Sequence, residues 1–82
     1  MNLNEAKTKL LLILRNHQED IVDGNFSDIL WQEGFSASND MSMKLYRENN
    51  KKYRNVITVI LWKGHRLVLE SIGSNYMVWE LK

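Results

Sequence analysis

The chain has 82 residues, 44% hydrophobic and 26% charged, with a net charge of +1 and no cysteine. That balance excludes a disordered tail, and the missing cysteine excludes both a disulfide framework and a thiolate zinc site. The length makes a single domain, 1–82, that buries only about 60 to 65% of the surface its unfolded chain would expose, so the core must be thin.

The charge is unevenly spread. Residues 1–43 carry three Lys/Arg against seven Asp/Glu, a net of −4, whereas residues 44–82 carry eight against three, a net of +5. The opening MNLNEAKTKL lacks the basic-then-apolar layout of a signal peptide, and no apolar run is long enough to span a bilayer. The expectation is a cytoplasmic protein with no membrane insertion.

In chain order, LNEAKTKLLLILRNHQEDIV places apolar residues at 3, 6, 10, 13, 14, 21 and 22, the pattern of an amphipathic helix. Asn2 with Glu5 forms a capping-box signature at its start. Its end is ambiguous: Glu19, Asp20 and Asp23 oppose the macrodipole of a long helix, so the helix either runs to Val22 and stops at Gly24 or ends near His17.

Residues 28–33 predict a short helix capped by Asn25 or Ser27 and stopped by Gly34, with Phe26, Ile29, Leu30, Trp31 and Phe35 pinning it to the core. SASND reads as a polar loop. From Met41 onward, MKLYREN, YRNVITVILW, RLVLESI and YMVWELK, separated by turn residues, predict a four-stranded antiparallel meander. The expected fold class is α+β, an N-terminal amphipathic helix plus one short helix on one face of that sheet.

The strand VITVILW is apolar on both faces. Ile57, Val59, Leu61, Leu67 and Leu69 are expected beneath the first helix. Ile60, Trp62, Val68, Tyr76 and Val78 then form an apolar patch rimmed by Arg66, Glu70, Glu80 and Lys82, a common mark of a protein-binding surface. Which strand-two residues join which set depends on whether the turn around Gly64 has two or three residues. Either a partner covers the second face, or the second helix or the 34–43 loop wraps over it.

Catalysis has little support. No nucleophile–base motif stands beside His17 or His65; His17 with Asp20 is a lone i, i+3 pair, and His65 reads as an exposed turn residue. Aligning Gly24 with the glycine of a calcium loop puts Ile21 and Leu30 at ligand positions, so that comparison fails. No cofactor and no metal are expected.

These observations predict a small non-enzymatic, regulatory or inhibitory protein-binding module of a bacterium or phage. Its partner is another protein or a second copy, docked on Ile60, Trp62, Val68, Tyr76 and Val78 with Asp20 and Asp23 of the acidic segment. The alternative is a nucleic-acid-binding protein using Lys51, Lys52, Arg54, Lys63 and Arg66, with Lys44, Arg47 and interleaved aromatics beside them. The near-neutral whole argues against it, because phosphate affinity needs a concentrated basic surface.

Overall fold

A computed structural model describes residues 1–48 and 55–81. Helix α1 (Leu3–Asn16) begins at a capping box in which the Glu5 N–H donates to Asn2 Oδ1 at 2.9 Å and the Asn2 N–H donates to Glu5 Oε1 at 3.3 Å. It ends at His17, whose φ of −127° and ψ of 37° break the helix before α2 (Gln18–Asp23). The break settles the conflict for two of the three acids, while Asp23 still stands at a helix C-terminus. Glu19 and Asp20 fall in the first turn of a new helix, where the macrodipole favours negative charge.

Helix α3 (Phe26–Gln32) closes in a Schellman arrangement: the Phe35 N–H reaches the Leu30 carbonyl at 2.8 Å and the Gly34 N–H the Trp31 carbonyl at 3.0 Å. Gly34 takes φ of 90°, the left-handed value this ending requires. The accompanying apolar pair, Leu30 and Phe35, is fully buried.

Strand β1 (Ser36–Ser38) and helix α4 (Asn39–Glu48) replace the expected loop and first strand. Residues 43–48 of MKLYREN are therefore helical and SAS is the strand. The reason lies in local chemistry: residues 39–48 hold no β-branched side chain, and Ser38 accepts the Met41 N–H at 3.3 Å as a helix cap. Met41 and Leu45, four apart, turn toward the sheet.

Strands β2 (Val56–Trp62), β3 (His65–Ile72) and β4 (Asn75–Glu80) complete an antiparallel sheet of order β1-β2-β3-β4. The fold is thus α+β, with α1 packed over β4, α3 over β1 and α4 over the other face at β2. The β2–β3 turn has two residues, Lys63 and Gly64, both at positive φ (46° and 80°), as a type I′ turn demands. It pairs Trp62 with His65 and hence Ile60 with Leu67.

Register shifts once, between Val56 and Thr58. This β-bulge leaves Ile57 as the extra residue, so that Ile57 joins Ile60 on the face toward α1–α3 while Val56 joins Val59 on the face toward α4. The larger core on the first face contains Ala6, Leu10, Ile13, Leu14, Leu30, Phe35, Ile60, Trp62, Leu67 and Leu69. The smaller one on the second face is Leu45, Val59 and Val68. Each fully buried leucine or phenylalanine contributes about 1.5–3 kcal/mol, so the first core dominates stability.

Candidate functional site

The two-residue turn decides which side chains share a face. Because Trp62 pairs with His65, even-numbered residues of β2 from Thr58 onward stand with odd-numbered residues of β3. Ile60, Trp62, Tyr76 and Val78, expected on an open face, therefore lie with Leu67 and Leu69 against α1, with Ile60 and Trp62 buried. Val68 is fully buried on the other side beneath α4. Val59 is core as expected, though under α4, and Leu61, expected in the core, is 45% exposed.

The second face does carry an open region, built from other residues. Helix α4 covers Val59 and Val68, with Met41, Val56, Trp79 and Leu81 packed around them. Beyond it, the pairs Glu70↔Met77 and Ile72↔Asn75 bring Ile72 and Met77 to diagonal positions at the β3–β4 corner, each 44% exposed. Trp79 stands next along β4, half-buried, its indole Nε1–H donating to Glu70 Oε2 at 3.1 Å. Sequence reading overlooked Ile72 and Met77 because their exposure depends on where α4 lies.

At its other end, by the start of β3, this face is basic. Lys44 and Arg66 flank a shallow depression with Met41, Leu45 and Leu81, and Arg47 is exposed on α4. Of the cations of the nucleic-acid alternative, Lys51, Lys52 and Arg54 lie outside the described residues. Lys63 sits in the β2–β3 turn, its ammonium 4.9 Å from the Trp62 ring centroid, and Arg66 is exposed on β3. Lys63 is thus at the opposite end of β2 from Asn55.

His65 is the first residue of β3, half-buried, and not an exposed turn residue. Its Nδ1 lies 2.6 Å from Glu80 Oε2 and its ring stacks on Trp62 at 6.0 Å between centroids. The group clamps the β2–β3 turn to the end of β4. His17 Nδ1 bonds Asp20 Oδ2 at 3.0 Å, while Asp23 is exposed beside Gln18, Glu19 and Val22. Helix α2 belongs to the first face through Ile21, so Asp20 and Asp23 are not joined to the open region. Among the described residues no three His, Asp or Glu side chains gather to hold a metal, and no helix is long and apolar enough to cross a membrane.

No family model, curated protein or solved structure matches the chain.

Trp31, expected to pin α3 to the core, is 71% exposed. The signal was available: Phe26 and Leu30, four apart, with Ile29 beside them define the inward face of α3, and position 31 falls off it.

Proposed function

We propose that this chain is a non-enzymatic, cytoplasmic protein-binding module that docks a partner on the uncovered β3–β4 corner of its second sheet face. The observation that carries the reading is Ile72 and Met77, both large and apolar, each 44% exposed and diagonal to one another next to Trp79. Exposed apolar corners are a common mark of protein-docking surfaces, and the half-buried Trp79, its indole N–H held by Glu70, is a preformed anchor beside this one. The cations Lys44 and Arg66 line a depression at the other end of this face, about 20 Å along β3 from Ile72, so the corner engages its partner through apolar contact and not through a basic rim.

The test compares affinity-tagged wild type with the Ile72→Lys, Met77→Lys double variant in a lysate of the natural host, read by quantitative mass spectrometry. A protein recovered by the wild type and lost by an equally folded variant, then bound directly when purified, is the expected outcome. Equal recovery by both forms would show that this corner is not the docking surface. Retention of nucleic acid by the wild type at low salt, lost with Arg66→Glu, would favour phosphate recognition instead.

A further inference from the structure

Strand β4 is an edge of the sheet. The Leu81 N–H bonds the Arg66 carbonyl, so the odd-numbered residues of β4 are the ones hydrogen-bonded to β3, and the N–H and C=O groups of Tyr76 and Val78 point outward. Among the described residues no strand meets them. Natural edges are blunted by a lysine, a proline, a bulge or short length. Residues 75–79, NYMVW, hold no charge and no proline, and their register with β3 runs without a shift. The opposite edge is guarded: β1 has three residues, and Ser38 caps α4 there and turns the chain off the sheet.

The helical layer beside this edge is uncovered as well. Helix α1 packs over β4, and its Lys9 reaches Glu33 at the end of α3, 3.2 Å away, which marks the flank that looks inward across the sheet. Two residues on, about 200° round the helix, Leu11 stands half-buried on the outer flank, above the free edge. A lone extended peptide would satisfy the backbone of β4 and leave Leu11 bare, whereas a second copy brings its own α1 to that position. At a net charge of +1 per chain, two copies repel little.

We propose that β4 pairs antiparallel with β4 of a second copy about a two-fold axis at Met77, joining two four-stranded sheets into one. In this register Tyr76 lies opposite Val78 of the other copy, twice, and the two pairs exchange four hydrogen bonds. Each sets an aromatic beside a β-branched side chain on the face toward α1, a favourable cross-strand combination, and Met77 meets its counterpart on the second face. The next register along would instead set Tyr76 opposite Glu80, whose carboxylate is held by His65. After pairing, the outer edges are the two short β1 strands, so association stops at a dimer. The contact rests on backbone groups and goes beyond the docking corner of Ile72 and Met77, so either can fail alone.

Sedimentation equilibrium of the full chain tests the pairing. Its mass is expected to rise from 9.7 kDa toward twice that value between about 5 and about 500 µM, the range of a small interface. A mass that stays at 9.7 kDa throughout would overturn the proposal and leave the edge to a foreign strand. Because the chain has no cysteine, single cysteines report the register. Met77→Cys is expected to form an interchain disulfide under mild oxidation, since its Cα atoms lie about 4.5 Å apart in a non-hydrogen-bonded pair. Asn75→Cys, about 14 Å from its counterpart, is expected not to. Equal crosslinking of the two, or crosslinking of Asn75→Cys alone, would rule the pairing out. Tyr76→Pro deletes two of the four bonds and is expected to weaken the dimer about tenfold or more at unchanged helix content. A dimer that Tyr76→Pro leaves intact would place the contact elsewhere. Wild-type mass and the cysteine pair decide the matter even if Tyr76→Pro does not fold.

Discussion

Adjacent residues of β2 have opposite fates. Ile60 is fully buried under α1 and Leu61 is 45% exposed on the second face. Ile60→Ala should therefore cost about 2–5 kcal/mol in urea unfolding, as for other large core truncations, and Leu61→Ala about 0.5 kcal/mol or less. Thr58 should respond in the other direction. Its hydroxyl is buried with no hydrogen-bond partner among the described residues, so Thr58→Val is expected to raise stability by about 1 kcal/mol, seen as a melting temperature several degrees higher. Alternation was legible in the sequence along β3, β4 and β2 from Thr58 onward, whereas the bulge puts both Val56 and Ile57 on the faces opposite to those expected. The assignment of side chains to faces across strands was not legible, because it rests on the two-residue Lys63–Gly64 turn and on the bulge, and a single-residue change in either inverts it.

The capping box of α1 was plain from Asn2 and Glu5, and the Gly34 stop of α3 was equally legible. The misreading of residues 39–48 has a specific cause: Leu45, Tyr46 and the charged residues around them resemble a polar edge strand, whereas the decisive cap, Ser38, sits in what looked like loop. Ser38→Ala should cost about 1 kcal/mol by uncapping α4, measurable by thermal unfolding. Strand β4 offers a sharper test of element geometry. The Leu81 N–H bonds the Arg66 carbonyl at 2.8 Å, so by alternation the N–H of Met77 points to β3 and that of Tyr76 points to the free edge. Met77→Pro should cost about 1–3 kcal/mol through a broken ladder, and more than Tyr76→Pro, although Tyr76 is the more buried of the two. Chemical denaturation of both variants checks the order.

For the whole molecule, both faces of the sheet are built from the same three strands, β2, β3 and β4, with helices α1–α3 closing one and α4 the other. The architecture also sets an order of assembly. Strands β2, β3 and β4 are joined by two-residue turns, whereas β1 reaches Val59 only after a closure of twenty residues, 39–58. Short closures cost less entropy and form earlier. The β1 strand is anchored at its far end through Ser42, whose hydroxyl donates to the Ser38 carbonyl and accepts the Val59 N–H, both at 3.0 Å. Amides of β3, flanked on both sides, should be the slowest to exchange with deuterium, and the Val59 amide should exchange faster, through local opening of β1 with α4. The unpaired Thr58 lies beside that weaker join. The molecule would open first along this seam, freeing the edge of β2 for strand pairing before any other part of the sheet comes apart.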